Sequence, residues 1–372
     1  DDRNISVLSQ GIILLPDHVS VTPPPHIVNR SGYSGNSEES RGKYITDKII
    51  LNKNSELKSK KNIILCADRN YMKYVGITMT SILMHSDKQV AFHIFGDEIS
   101  EADLKKFKNI AEADDVYIAI YLIDKDVLQK LPKNIKTNRH ISIAAYFRII
   151  AYAVLAETIN YVLYMDCDIL VKGKLDAFWN YTMNSEITAL VVQDNSEEQN
   201  AQRVGTARYF NSGVMFVNLT EWKKNNFTER SLKMISEQDW PFLDQDVLNV
   251  LLNNKIVFLN TEYNYQYSLS KLIDDSPCPS KEKLREDAVI VHYIGASKPW
   301  HTWVQCCQGA KAWVAVKQNS MWNDVKLSGP ETIKNHTYKY WHKFARVAKK
   351  EGHWSDMFKY YWNYCCSKVL GK

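Results

Sequence analysis

The run Tyr161-Val162-Leu163-Tyr164-Met165 ends on two carboxylates, Asp166 and Asp168, with only Cys167 between them. A continuous apolar stretch of this length is the pattern of a parallel strand covered on both faces. In open α/β sheets, ligands bind beyond the carboxyl ends of such strands. Two carboxylates delivered to that rim can share a hard divalent cation that also holds phosphate oxygens. The feature sets two expectations at once: a buried central strand and a metal site at its end.

The surrounding sequence supplies the rest of such a sheet. Ile63 to Ala67 reads as a strand followed by the turn Asp68-Arg69-Asn70 and a helical pattern from Tyr71 to His85. Val90 to Phe95 is a second strand, and Ser100 with Asp103 three residues later resembles a capping box opening a helix. Val116 to Leu122, Ile187 to Val192, Val214 to Asn218 and Ala288 to Val291 are further strand-like runs. Helical patterns cover Ser142 to Leu155, Trp222 to Ser236 and Asp244 to Leu252. Strands alternating with helices predict a doubly wound, mostly parallel α/β sheet.

Three regions follow from the composition. Residues 1–60 carry Pro23-Pro24-Pro25, a Ser/Gly/Asn/Glu-rich stretch and the basic run Lys58 to Lys61, and predict an irregular extension. Residues 61–310 carry the alternating strand and helix pattern and predict the main α/β domain. Residues 311–372 predict a helical extension, in which Lys339, Lys343, Arg346, Lys349, Lys350, Lys359 and Lys368 are interleaved with Trp341, Phe344, Trp354, Phe358, Tyr360, Tyr361 and Trp362. Basic residues mixed with large rings suit an anionic membrane surface, and equally a helical pair packed on the sheet with a solvated basic face.

A net charge of +5 over 372 residues gives no case for nucleic acid. No apolar run is long enough to span a membrane, and Gly11 to Leu15 is too short for a signal peptide. The first residues are Asp-Asp, so a fragment or a processed end is expected. The 7 cysteines form no Cys-x-x-Cys pair, which predicts reduced thiols rather than a zinc site or a disulfide framework. Asn180-Tyr-Thr182 and Asn218-Leu-Thr220 match the glycosylation pattern, but Asn218 closes a strand where a glycan conflicts with packing. Both observations point to the cytoplasm.

His292 leaves a strand as Asp166 does, so the two can reach one rim of the sheet. Two carboxylates and an imidazole suit Mn2+ or Mg2+. In the loop Tyr293-Ile-Gly-Ala-Ser-Lys-Pro-Trp300, Gly295 lets backbone approach a ligand, and Lys298 supplies an ammonium for a phosphate.

The segments Tyr164-Met-Asp-Cys-Asp168, Phe210-Asn-Ser-Gly-Val214, Asp244-Gln-Asp246 and His292-Tyr-Ile-Gly-Ala-Ser-Lys-Pro-Trp300 together resemble glycosyltransferase family 8. The resemblance runs from about Asn62 to Trp322 and implies a retaining transferase with a GT-A fold. The stretches Phe92 to Asp103 and Tyr263 to Ser268 look most like bacterial lipopolysaccharide core glucosyl- and galactosyltransferases. The first 60 residues lie outside it.

The resemblance implies roles by position. Ala67, Asp68, Asn70 and Tyr71 fall where the family cradles uridine, with the tyrosine stacked on the base. Ile141 and Arg148 match groups contacting the sugar donor, and Asp194 matches a sugar- or acceptor-binding carboxylate. Asn211, Asp244 and Gln245 match residues near the transferred sugar. Asp166, Asp168 and His292 are the implied metal ligands, and Gly295 and Lys298 belong to the diphosphate site.

The implied reaction moves glucose or galactose from UDP-glucose or UDP-galactose to a hydroxyl of the lipopolysaccharide core, with α-1,3 or α-1,2 linkage. It places the protein at the cytoplasmic face of the inner membrane, held there by the C-terminal segment. Retention needs either a protein nucleophile or same-face attack guided by the leaving phosphate. Gln245 falls where the family's debated nucleophile lies, and an amide is a poor nucleophile, which favours the same-face route.

Three alternatives stand beside this reading. One is a glycogenin-like or Golgi transferase acting on protein or another glycan. A sugar nucleotidyltransferase would need a Gly-rich basic loop after the first strand, where Asp68-Arg69-Asn70-Tyr71 stands instead. A non-catalytic glycan- or membrane-binding module would not need Asp166, Asp168, His292 and Lys298 together.

Overall fold

The computed structural model describes residues 43–52, 60–87, 89–130, 146–184, 186–332 and 337–370. Its strands are β1 (Ile45–Leu51), β2 (Lys61–Cys66), β3 (Val90–Gly96), β4 (Tyr117–Ile123), β5 (Tyr161–Met165), β6 (Ile169–Val171), β7 (Ala189–Gln193), β8 (Phe210–Asn218), β9 (Ile256–Leu259), β10 (Tyr265–Gln266) and β11 (Ile290–His292). Eight of them form one sheet in the order β1-β4-β3-β2-β5-β8-β7-β9. The β4-β3-β2-β5 block is parallel, as is β7-β9, while β1 and β8 run antiparallel to their neighbours.

The expected burial on both faces is visible residue by residue. Ile63, Leu65, Leu163 and Met165 enter one core, and Ile64, Cys66, Val162 and Tyr164 enter the other. Helix Met72–Leu83 covers the first face, and helices Phe147–Leu155 and Leu243–Leu251 cover the second. Ser100 caps its helix as expected, its Oγ accepting from the Asp103 N–H.

A second sheet, β10-β11-β6, sits at the carboxyl end of β5. β11 pairs antiparallel with β6, so His292 lies opposite Ile169, the residue after Asp168. This pairing delivers His292 to the aspartate pair.

Several elements differ from expectation. Ile45–Leu51, within the stretch expected to be irregular, is an edge strand paired with β4. Its polar Thr46, Asp47 and Lys48 suit an edge open to solvent, and they hide the β pattern. The boundary expected at residue 310 falls inside packed structure. Trp313 and Trp322 are fully buried, and a Cβ on Gly76 would meet the Trp322 ring at 2.0 Å. Removing an indole packed in this way costs about 3–5 kcal/mol. The helix expected from Trp222 to Ser236 is two helices, Leu219–Lys224 and Phe227–Glu237, broken at Asn226, whose φ is +50°. β8 begins at Phe210, four residues before the expected start. The helix expected from Ser142 is seen from Phe147, because residues 142–145 lie outside the described set.

All seven cysteines are free thiols. Asn218 is buried and its side chain caps the following helix, accepting from the Thr220 and Glu221 N–H groups. No described helix is long and apolar enough to cross a membrane. The chain ends in a helical hairpin, Thr337–Lys350 and Trp354–Val369. Arg346 and Lys350 tether its first helix to the end of helix Leu269–Asp275, Arg346 at 3.0 Å from the Asp274 carboxylate and Lys350 at 2.6 Å from the Ile273 carbonyl. Cations at a helix C-terminus meet its free carbonyls and its negative dipole end.

Candidate active site

β8 carries the irregularity that builds the site. Val191 of β7 pairs with Met215, but Val192 pairs with Asn211, so Ser212, Gly213 and Val214 bulge out of that ladder. Bulges re-aim backbone and side chains at functional rims. Here the Gly213 carbonyl accepts from the Asp166 N–H at 2.9 Å. A Cβ on Gly213 would lie 2.2 Å from the His292 ring and 2.9 Å from Asp166 Oδ2. Only glycine allows the bulge to close against both side chains.

Asp166, Asp168 and His292 form a cluster whose ligand atoms all lie within 4.8 Å of one another. His292 Nε2 is 3.6 Å from Asp166 Oδ2 and 3.3 Å from Asp168 Oδ1. Asp168 Oδ1 is buried with no donor in hydrogen-bond geometry. Buried carboxylate oxygens are normally satisfied. An orphaned oxygen beside an imidazole nitrogen and a second carboxylate fits a divalent cation, and the oxygen-rich set with one nitrogen suits Mn2+ or Mg2+.

Each aspartate also has its own cation. Lys298 Nζ donates to Asp168 Oδ2 at 2.6 Å and to the Tyr293 carbonyl at 2.6 Å. Burial pushes the Asp168 carboxyl up, and Lys298 and then His292 override it, holding the group well below the usual carboxylate range. Arg148, from helix Phe147–Leu155, approaches Asp166 Oδ1 at 3.1 Å and Asp244 Oδ2 at 2.7 Å. Its guanidinium also donates to the Ser212 carbonyl and lies 4.1 Å from the centre of the Tyr164 ring. The Tyr164 hydroxyl donates to Asp166 Oδ1 at 2.6 Å.

Beyond the cluster lies an amide-rich floor. Gln245 Oε1 accepts from the Ser212 N–H at 3.0 Å, and Gln245 Nε2 reaches Tyr209 Oη at 3.2 Å and Asp194 Oδ2 at 3.5 Å. Asn211 Nδ2 also donates to Asp194 Oδ2, at 3.4 Å. Asp246 is fully buried, held by Arg203 at 2.7 and 2.8 Å and by the Tyr209 hydroxyl.

The structure gathers most of the sequence-derived candidates at one rim. Ala67, Asp68, Asn70 and Tyr71 lie at the end of β2, where Asp68 Oδ1 accepts from the Asn70 and Tyr71 N–H groups. Tyr71 stands edge-on to Trp300, 5.9 Å between ring centres, and Trp300 stacks on Tyr74 at 3.7 Å. The loop carrying Lys298 and the turn after β2 are thus joined through rings. Gly295 adopts φ +83°, which its lack of a side chain permits. Asp244 is 3% exposed and lies against Arg148. Burial pushes its carboxyl up to about 7 against the pull of Arg148. Ile141 lies outside the described residues.

The sequence reading singled out neither Gly213 nor Asn264. A glycine inside a strand was the available signal for the first. Asn264 lies within the family-like stretch Tyr263 to Ser268, but its role was not legible there because its partners are 53 and 28 residues away.

A doubly wound sheet with Asp-x-Asp at the end of a central strand, and a histidine brought beside it by a second sheet, is the GT-A architecture of glycosyltransferases. The model of the family described as Glycosyl transferase family 8 matches residues 62–304. The chain is 31% identical over 290 residues to the lipopolysaccharide 1,2-glucosyltransferase of Escherichia coli K12, covering 76% of this chain and 84% of that protein. It is 31% identical over 322 residues to the lipopolysaccharide 1,3-galactosyltransferase of Salmonella typhimurium, covering 83% and 91%. Among solved structures it resembles the galactosyltransferase LgtC in complex with donor and acceptor sugar analogs, with a TM-score of 0.57 and 24% identity, covering 70% of this chain and 96% of that one. The chain belongs to glycosyl transferase family 8 and is a retaining hexosyltransferase.

Arg148 holds two acidic groups in a buried setting, and removing one member of such an arrangement strands the others. Arg148→Met is expected to lower stability by about 3–5 kcal/mol, and Arg148→Met/Asp244→Leu to recover part of that loss. Urea unfolding of the three proteins checks this; equal losses in the single and double variants contradict it.

Proposed function

We propose that the enzyme transfers glucose or galactose from a UDP-sugar to a hydroxyl of the lipopolysaccharide core, forming an α-1,3 or α-1,2 linkage. The observation that carries this reading is the convergence of Asp166, Asp168 and His292 with Lys298 and Arg148 at the end of β5. The kinship with lipopolysaccharide transferases supports the acceptor class. When bound, a divalent cation supplies charge neutralisation for a departing diphosphate.

In this reading Tyr71 stacks on the uracil, and Ala67, Asp68 and Asn70 hold the nucleoside, with Ile141 and Gly295 also contacting the sugar nucleotide. Lys298 is a mobile ammonium released from Asp168 to the diphosphate, so positive charge moves with the leaving group. Asp194 and Asn211 bind hydroxyls of the transferred sugar. Arg148 fixes Asp166, and Asp244 acts through Arg148 as a positioning residue. Gln245 holds its amide toward the sugar-binding side, where Asp194 and Tyr209 orient its Nε2.

The surroundings of Gln245 and Asp244 favour same-face substitution. The Gln245 oxygen is occupied by the Ser212 N–H and hydroxyl, and Asp244 is 3% exposed and buried against Arg148. The departing phosphate then takes the acceptor proton, and Gln245 stabilises the cationic sugar.

Mn2+-dependent UDP release from UDP-glucose and UDP-galactose, with and without truncated lipopolysaccharide, tests this reading. Turnover is expected to require the acceptor, and Asp168→Ala is expected to abolish it with the fold retained. Near-normal turnover in that variant, or a glycosyl adduct on Asp244 or Gln245 seen by mass spectrometry, contradicts the mechanism.

The enzyme also works at the cytoplasmic membrane surface in this proposal. Trp354, Phe358 and Trp362, spaced four residues apart on the outer helix of the hairpin, are 55%, 68% and 71% exposed. Four-residue spacing puts them in one stripe, and Lys359 and Lys368 lie on the same helix. Rings at headgroup depth with nearby lysines favour anionic lipid. Replacing the three rings by serine is expected to abolish sedimentation with phosphatidylglycerol vesicles; unchanged sedimentation favours a hairpin that serves packing alone.

A further inference from the structure

We infer that Asn264 is a positioning residue that sets the tautomer of His292, through a chain of amides whose polarity begins at the backbone of the β8 bulge. The inference rests on the cation reading given above. The chain can be followed from a group whose role is not adjustable. The Gly213 N–H can only donate, and it meets Asn211 Oδ1 at 3.1 Å. This contact fixes the orientation of the Asn211 amide, and the far end agrees, since Nδ2 then faces the acceptor-only carboxylate of Asp194 at 3.4 Å.

Asn211 Oδ1 has a second partner, Asn264, 3.0 Å away. An acceptor there requires Asn264 to present its NH2, which turns Asn264 Oδ1 the other way. That oxygen lies 3.0 Å from His292 Nδ1. An amide oxygen accepts only, so Nδ1 must carry the hydrogen. The lone pair is left on Nε2, the nitrogen facing Asp166 and Asp168 at 3.6 and 3.3 Å.

The chain is sealed from water. Asn264 is 1% exposed, His292 4% and Asn211 8%. Bulk water therefore does not offer the imidazole a competing partner, and reversing the tautomer would leave Asn264 Oδ1 facing a bare nitrogen. An unmade buried hydrogen bond of this kind costs about 1–3 kcal/mol. Ligating histidines commonly owe their tautomer to the partner of the second nitrogen. Here that partner is itself oriented by a residue touching Asp194, so the metal end and the sugar end of the site share one hydrogen-bond chain.

Nitrogen-15 NMR of the wild-type protein saturated with diamagnetic Mg2+ reads the tautomer directly. His292 is expected to show a protonated Nδ1 and an unprotonated Nε2; the reverse pattern overturns the relay, whether or not any variant folds. Mn2+ binding by titration calorimetry supplies the second reading. Asn264→Leu is expected to weaken Mn2+ by about 10–100-fold. Asn264→Asp, which keeps an acceptor toward Nδ1 but loses the donor to Asn211, is expected to recover part of that affinity; an Asn264→Asp protein as weak as Asn264→Leu overturns the role of that acceptor. Unchanged affinity in Asn264→Leu overturns the positioning role. Absence of Mn2+ binding by wild type overturns the cation reading itself, while binding accompanied by the wrong tautomer overturns the relay alone.

Discussion

The site depends on one close approach of backbone to side chain. At Gly213 the β8 bulge closes on the His292 ring and Asp166 to within the radius of a methyl group. Asp166 follows a strand of the large sheet and His292 ends one of the small sheet. The bulge displaces three residues from the β7 ladder, and each is used: Ser212 engages Arg148 and Gln245, Gly213 closes the metal cradle, and Val214 resumes pairing with Met165. A local defect in a strand thus becomes the frame of the chemistry.

The electrostatics follow from that frame. Two carboxylates brought this close repel each other, and each is offset by a cation on its outer side, Arg148 for Asp166 and Lys298 for Asp168. The two cations differ in kind. Arg148 is 4% exposed and held by four groups, so it is a fixed part of the fold. Lys298 sits on a loop with a flexible stem and can exchange its carboxylate for a phosphate. In the proposed mechanism the aspartates serve as ligands rather than as an acid and a base, and the proton chemistry falls to the leaving group.

Much of this was legible from the chain because the signals were local. Apolar runs ending on Asp166 and His292 announced strands and the rim they reach. The family motifs then gathered Lys298, Arg148, Asn211 and Gln245 into one site. What stayed hidden had no local signal. β1 is masked by the polar residues that suit an edge strand, and the start of β8 by Asn211, Ser212 and Gly213, which are polar or small because they build the site. Trp313 and Trp322 were grouped with a basic tail by composition, although both lie in the first core and Trp322 packs against Gly76. Asn264 depends on partners far away in sequence, and the burial of Asp244 against Arg148 depends on tertiary packing.

The central claim is that Asp166, Asp168 and His292 form one cation site closed by the Gly213 backbone. Anomalous diffraction at the manganese edge, from crystals grown with Mn2+, tests it directly. The account predicts a single strong peak within bonding distance of His292 Nε2 and an oxygen of each aspartate. A peak at other groups, or none between these three side chains, would contradict it.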